Sequence, residues 1–307
     1  MRGTASYPSY LALYHSGVLK RRAAEAWERL AGCRLCPRSC GVNRLAGETG
    51  ICRTADKAWV SACHPHFGEE APLTGKHGSG TIFFTHCNLL CIFCQNYYIS
   101  HYGKGVPVSD EQLAEAMMLL QQRGCHNINL VTPTHVIPQV LQALVIAVEQ
   151  GLRLPLVYNS AGYDLPVSLQ LLDGVVDIYL PDFKFWNPEH ALLACSAPDY
   201  PATAREAIKE MHRQVGDLVI NDEGVAVRGL LLRHLVLPEG WAGTRPVMKF
   251  VAQELSPDTY VNIMGQYRPC YKAHRVKALA KDLAPAEYHN AVKDTMEQGI
   301  YRMDKLL

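Results

Sequence analysis

The sequence lacks a net charge and any long apolar stretch. Its 307 residues include 30 basic and 29 acidic side chains, which leaves a formal net charge of +1. Because the positive and negative charges nearly cancel, the protein has no overall electrostatic field that would attract nucleic acid or an anionic membrane surface. No uncharged run is long enough to span a bilayer, and residues 1–16 lack the apolar segment of a signal peptide. We therefore expect a cytoplasmic protein with no membrane partner and no clear nucleic-acid partner.

A cytoplasmic location affects how the 11 cysteines are interpreted. Thiols remain reduced in that compartment, so disulfides are rare there. The odd total agrees with this, because full disulfide pairing needs an even number. We therefore expect metal ligands and reduced core residues. Cys125, Cys195 and Cys270 are isolated in the sequence and are predicted to be buried as small hydrophobic residues.

Three cysteines in eight residues are the strongest functional signal. Cys87, Cys91 and Cys94 have the spacing C-x3-C-x2-C, and no fourth cysteine follows closely. Such a loop can bind three irons of a cubane cluster and leave the fourth iron open to a small molecule. The alternatives are a zinc site completed by Cys63 or Cys125, or a closed electron-transfer cluster.

A second group of cysteines precedes this loop. Cys33, Cys36, Cys40 and Cys52 have the spacing C-x2-C-x3-C-x11-C. Four thiolates suit a closed tetrahedral zinc site and an additional iron–sulfur cluster equally well. The remaining alternative is four reduced structural thiols.

The distribution of apolar residues predicts an α/β fold in two parts. Residues 1–78 are predicted to form an N-terminal helix and a cysteine-rich module, with a helical break near Ser16 and Gly17 and no sustained periodicity over 33–78. Residues 79–307 are predicted to form a partial (β/α)6 barrel with C-terminal helices, because short apolar runs alternate there with helical patterns. The predicted strands are 81–85, 128–131, 156–158, 175–180, 229–237 and 260–263, and the predicted helices include 109–124, a helix before Gly151, 169–172, 204–214, 247–255 and 285–299.

Polar clusters follow the predicted strands. The reactive rim of such a barrel lies at the carboxyl ends of its strands, so these clusters are expected to converge. Asp182 and Lys184 flank a phenylalanine after the fourth strand. These two residues either form a structural ion pair or bind a ligand. Glu69 and Glu70 precede the barrel and are either surface acids or functional carboxylates. The clusters are the cysteine loop, 132–135, 159–164, 181–184, 233–234 and 265–268.

The cysteine loop resembles that of the radical S-adenosylmethionine (SAM) enzymes. The resemblance rests on the spacing of the cysteines, on Phe93 before the third cysteine and on the Gln95–Asn96 pair after it. It implies a 4Fe–4S cluster on Cys87, Cys91 and Cys94, with the methionyl group of SAM on the open iron. Reductive cleavage would then give a 5'-deoxyadenosyl radical that abstracts a hydrogen atom. An electron donor such as flavodoxin or ferredoxin is also implied.

Further motifs resemble the radical SAM family of homologues of pyruvate formate-lyase activating enzyme. The implied reaction is hydrogen abstraction from a backbone glycine of a partner enzyme, which stores a glycyl radical. Two features differ from such activases: the extra cysteines precede the radical loop, and no Gly-Gly-Glu element follows the second strand. Modification of another peptide, a small molecule or RNA is the alternative, as is a non-catalytic two-cluster electron-transfer protein. The motifs are 35–44, 68–70, 78–84, 127–135, 179–184 and 233–238.

The resemblance also implies which residues contact SAM, although it assigns no catalytic residue. Asn159, Ser160, Asp182 and Arg233 would lie near the methionyl carboxylate. Thr132 and Thr134 are the residues available for the methionyl amine, since Gly-Gly-Glu is absent. The implied SAM-binding residues are Phe93, Asn159, Ser160, Asp182, Lys184 and Arg233.

Overall fold

A nine-stranded sheet organises the protein in the computed structural model, which describes residues 7–304. Residues 1–6 of the predicted N-terminal part and residues 305–307 of the predicted barrel part lie outside the described residues. The strands are β1 Ala58–His66, β2 Ser79–Phe84, β3 Val106–Val108, β4 Ile128–Val131, β5 Leu156–Ser160, β6 Ile178–Pro181, β7 Val219–Ile220, β8 Ala226–Leu235 and β9 Tyr260–Met264.

The six strands predicted from the sequence form one parallel array. The order is β2-β4-β5-β6-β8-β9, and each neighbouring pair in it is parallel. The array does not close, because β9 does not pair with β2, whose other neighbour is the antiparallel β1. The prediction of an α/β fold with a partial barrel is therefore confirmed.

Helices follow most of the parallel strands, as predicted. The helical break is present at Gly17, which has a φ of +75°. The predicted capping box is also present, with Ser109 and Gln112 bonded reciprocally at the start of the helix Asp110–Gln122. No helix within residues 7–304 is both long and apolar enough to cross a bilayer. The α-helices are α1 Tyr10–His15, α2 Val18–Glu28, α3 Ala71–Thr74, α4 Tyr97–Ser100, α5 Asp110–Gln122, α6 Ile137–Glu149, α7 Pro166–Leu169, α8 Pro188–Cys195, α9 Tyr200–Val215, α10 Thr244–Phe250 and α11 Pro285–Glu297.

The structure differs from the sequence-based expectation over residues 33–78, where no regular element was predicted. This segment contains β1 and α3, and β1 pairs antiparallel with β2. The sequence of β1 is a poor strand signal, because it contains Pro65. In the structure, the pairing register of β1 with β2 also shifts between Val60 and Ala62. The division at residue 78 therefore falls between two paired strands, and it remains a proposal about sequence modules.

The two faces of the sheet pack differently. The main apolar core joins the sheet to α5, α6 and α9. A smaller cluster fills the opposite, concave face, where Leu73 of α3 packs with Val157, Ile178 and Leu231. The short helix α3 thus closes the inside of the partial barrel, and it brings the two residues before it, Glu69 and Glu70, to the same interior.

Burial of one histidine in β8 predicts a pH-dependent stability. His234 is fully buried between the Phe183 carbonyl and Thr244 Oγ1, and burial lowers its pKa to about 4 although the bond to Phe183 opposes this. An unfolded histidine takes up a proton first, so the free energy of unfolding should fall by about 2 kcal/mol between about pH 7.5 and about pH 5. Denaturant titrations of wild type and His234→Gln should show that difference.

The exposed His289 supplies a matched control. His289→Gln should retain the pH dependence of the wild-type protein. A stability difference between wild type and His234→Gln that is the same at both pH values would contradict the prediction.

Candidate functional site

A cavity of about 170 Å³ lies at the carboxyl ends of the parallel strands. The strand register puts Val131 beside Asn159, and a bridge joins Asp182 to Arg233, so the rim residues stand at similar heights. All nine residues predicted for the radical cluster and for SAM line this cavity. They are Cys87, Cys91, Cys94, Phe93, Asn159, Ser160, Asp182, Lys184 and Arg233.

The cysteine loop is held by short local contacts. The Leu89 amide donates to Cys87 Sγ at 3.3 Å, and Ser100 Oγ donates to Cys94 Sγ at 3.2 Å. Burial raises the pKa of Cys87 to about 12, so this thiol stays neutral until a cation favours its ionised form. Hydrogen-bond donors already directed at these sulfurs suit thiolate ligands.

The backbone around the cavity is strained at three non-glycine positions. His86, Leu90 and Thr132 have φ values of +66°, +57° and +62°, and all three line the cavity. Left-handed conformations of such residues carry an energetic cost and concentrate at functional sites. Three of the eight non-glycine residues with positive φ in residues 7–304 therefore line this cavity.

An ion network joins the ends of three parallel strands. Arg233 Nε donates to Asp182 Oδ1 at 2.7 Å, and its Nη2 donates to Asn159 Oδ1 at 2.7 Å. Lys184 Nζ donates to Asp182 Oδ2, so the ion pair that the sequence allowed is present. Burial favours a protonated carboxyl, but Arg233 and Lys184 outweigh it and hold the pKa of Asp182 below its usual value.

A fully buried carboxylate fixes the polar residues beneath the cavity. Asp164 accepts hydrogen bonds from Thr134 Oγ1 at 2.7 Å, Tyr158 OH at 2.8 Å and Ser160 Oγ at 2.8 Å. Thr134 is thereby committed to the interior, whereas Thr132 lines the cavity. Of these two threonines, Thr132 is the one that lines the cysteine-lined cavity.

The four N-terminal cysteines line a separate, much smaller cavity together with Arg44 and His135. Arg44 is buried and donates from Nη1 to the His135 carbonyl at 2.8 Å, with Cys33 Sγ 3.8 Å away. Arg44 Nη2 and His135 Nδ1 are buried and have no hydrogen-bond partner within residues 7–304. The cysteines concerned are Cys33, Cys36, Cys40 and Cys52.

The arrangement of the cysteines bears on the kind of metal centre that fits them. Over residues 7–304, no three His, Cys, Asp or Glu side chains are grouped as a single metal ion requires. Thiolates that bind separate irons of a cubane do not converge on one point. The donor type and spacing of Cys87, Cys91 and Cys94 suit the separate irons of a cubane cluster.

Arg38 and Cys195 connect the cysteine regions, and sequence reasoning gave neither a functional role. Arg38 donates to four carbonyls that belong to the radical loop and to the end of α8. Cys195 is buried as predicted, but its Sγ lies 3.3 Å from Cys91 Sγ. Cys125 is also buried, whereas Cys270 is only partly buried. The four acceptors are Asn88 O at 2.9 Å, Leu89 O at 3.2 Å, Cys195 O at 2.8 Å and Ser196 O at 2.6 Å.

Comparison with known proteins assigns this site to a family. A profile of the radical SAM superfamily matches residues 81–234, half of the chain, and spans the first five parallel strands. The chain belongs to the radical SAM superfamily. Membership implies a 4Fe–4S cluster, SAM and radical chemistry, and the cysteine-lined cavity offers the sulfur donors that such a cluster needs.

Two individual proteins are similar to this radical SAM chain. An uncharacterized protein of Methanocaldococcus jannaschii is 34% identical over 270 residues, which cover 85% of this chain and 73% of the relative. A solved radical SAM methyltransferase from Sphaerobacter thermophilus has 12% identity and a TM-score of 0.48, with 72% of this chain covered. The match spans 64% of the methyltransferase, less than two thirds of its length.

Proposed function

We propose that the cavity at the carboxyl ends of the parallel strands, called the rim cavity below, is a site of reductive SAM cleavage. Cys87, Cys91 and Cys94 would hold the 4Fe–4S cluster and leave one iron without a protein ligand. When bound, the cluster and SAM supply a 5'-deoxyadenosyl radical that removes a hydrogen atom from a substrate. The observation that carries the proposal is that the three cysteines share one cavity with all six residues implied to contact SAM.

The side chains of the ion network have distinct parts in this proposal. Lys184 would attract the methionyl carboxylate, while Asp182 keeps Lys184 charged and oriented. Asn159 and Ser160 would supply neutral polar contacts, and Asp164 holds Ser160 in place. Phe93 is buried beside Phe185 and Tyr267, so it would exclude water from the cluster.

The finer proposal is activation of a glycyl radical enzyme, with flavodoxin or ferredoxin as electron donor. It is supported by the motifs that resemble homologues of pyruvate formate-lyase activating enzyme. The early position of the extra cysteines and the absence of Gly-Gly-Glu speak against it. Radical modification of another peptide, a small molecule or RNA is the second candidate.

The N-terminal cysteines are proposed to bind a separate metal centre, either zinc or an iron–sulfur cluster. The support is the buried cation of Arg44, which lies beside Cys33 with an unpaired N–H. A buried guanidinium needs a counter-charge, and a thiolate-bound metal centre carries negative charge.

Loss of one cysteine from the radical loop tests the main proposal. Anaerobically reconstituted wild-type protein with reductant should convert SAM to 5'-deoxyadenosine and methionine. Cys91→Ala removes a cluster ligand, so product formation should fall at least about 100-fold, to background. Chromatographic quantification of both products, together with iron analysis, measures the effect.

Cys63→Ala is the matched control, because Cys63 packs against the Ala116 carbonyl of α5 and lies outside both cysteine cavities. This variant should cleave SAM like the wild type. Undiminished cleavage by Cys91→Ala would refute the ligand assignment. Absence of any product from wild-type protein would favour the electron-transfer alternative.

Metal analysis of the N-terminal cysteines tests the second centre. Cys36→Ala should lose one zinc ion or one group of irons relative to wild type, because that thiol lines the N-terminal cavity. Elemental analysis of purified protein identifies which metal is lost, and Cys63→Ala again serves as the control. Unchanged zinc and iron in Cys36→Ala would contradict a metal centre at these cysteines.

A further inference from the structure

A second polar cavity lies next to the rim cavity. Its volume is about 240 Å³, and it is bounded by the segment before α3 and by the carboxyl end of β9. No residue of the radical cysteine loop lines it. Its principal polar lining residues are Glu69, Glu70, Arg233, Asn262, Gln266 and Asp304.

Arg233 forms the wall between the two cavities and lines both of them. Its Nε and Nη2 are engaged by Asp182 and Asn159 on the side of the rim cavity. Its Nη1 is directed to the other side, 3.5 Å from Glu69 Oε2. A ligand in the second cavity would therefore be separated from the rim cavity by the guanidinium group of Arg233.

Glu70 lines this cavity and carries one buried carboxylate oxygen without a hydrogen-bond partner among residues 7–304. The residue is only 4% exposed, and its Oε1 accepts a hydrogen bond from Asn262 Nδ2 at 2.9 Å. Its Oε2 is buried and has no hydrogen-bond partner in the described part of the chain. Leaving a buried carboxylate oxygen unpaired is costly, so the site is incomplete without a donor.

The buried charges near the wall do not balance. Glu69, Glu70 and Asp182 supply three carboxylates, whereas among residues 7–304 two cations, Arg233 and Lys184, form ion pairs with this group. Both cations are already paired with Asp182. Burial raises the pKa of both Glu69 and Glu70, and Arg233 opposes this only in part. One additional positive charge between the two glutamates would complete the network.

We propose that this cavity is the substrate site and that it binds a protonated amine or a guanidinium through Glu69 and Glu70. The inference rests on the proposed radical function, because it names the class of substrate that the radical would reach. The substrate's positive nitrogen would sit against the two carboxylates. Its remaining atoms would lie beside Arg233, next to the space assigned to SAM.

Two other occupants fit the cavity less well. A single metal ion would need grouped ligands, and within the described ranges no three acidic, histidine or cysteine side chains form such a group. The methionyl amine of SAM must stay with the iron-bound end of the nucleotide, which the proposal puts in the cysteine-lined cavity. The second cavity therefore serves a different molecule.

Binding of matched probes tests the proposal without radical chemistry. Cluster-loaded protein is kept anaerobic, without reductant, and titrated with n-butylamine and with the uncharged n-butanol by saturation-transfer NMR. The amine should bind at least about tenfold more tightly than the alcohol, because only the ammonium can pair with the carboxylates. Equal binding of both probes, or no binding of the amine, would overturn the proposal.

Substitutions identify the residues that bind the amine. Glu70→Gln and Glu69→Gln should each weaken it about tenfold, since each keeps the side-chain shape and removes a charge. Glu223→Gln, at an exposed position that does not line the cavity, should leave it unchanged. The peptide Gly-Lys-Gly serves as a second probe: tighter binding than butylamine identifies a peptide source, and weaker binding identifies a free amine.

SAM binding is measured on the same variants to separate the two proposals. If Glu70→Gln weakens SAM binding while the affinity for butylamine is unchanged, the glutamates serve the nucleotide and the substrate assignment is wrong. If SAM cleavage is intact but the amine does not bind, only the present inference fails. If the amine binds but SAM is not cleaved, the proposed radical function fails instead.

Discussion

The contact of Arg233 with Asp182 is the interaction on which the arrangement of the site depends. It joins β8 to the segment after β6, and both side chains are largely buried, so each charge stabilises the other. From this pair the network extends to Lys184 in the same segment, and to Asn159 and Glu69 in two other parts of the chain. One guanidinium thereby determines the positions of groups in two neighbouring cavities.

A second long side chain plays a comparable part on the opposite side of the radical loop. Arg38 satisfies carbonyls on either side of the gap between that loop and the end of α8. Because Arg38 lies between Cys36 and Cys40, the N-terminal cysteines are mechanically linked to the radical loop. A metal centre at those cysteines would therefore rigidify the loop that carries Cys87 and Cys91.

The parallel strands could be predicted because strands covered on both faces must be apolar, and short runs such as 128–131 and 260–263 show this directly. The convergence of the polar rim residues followed from the same topology. By contrast, β1 was missed because its histidines and Pro65 conceal the strand pattern. The roles of Arg38 and Cys195 depend on contacts between residues far apart in sequence, which no local pattern records.

The central claim is that one iron of the cluster lacks a protein ligand and binds SAM. Electron paramagnetic resonance of the reduced protein tests this most directly, with SAM labelled at the methionyl nitrogen and carboxylate. The account predicts that SAM changes the cluster signal and that the labelled nuclei couple to it. An identical signal with and without SAM, with no coupling to either label, would contradict the account.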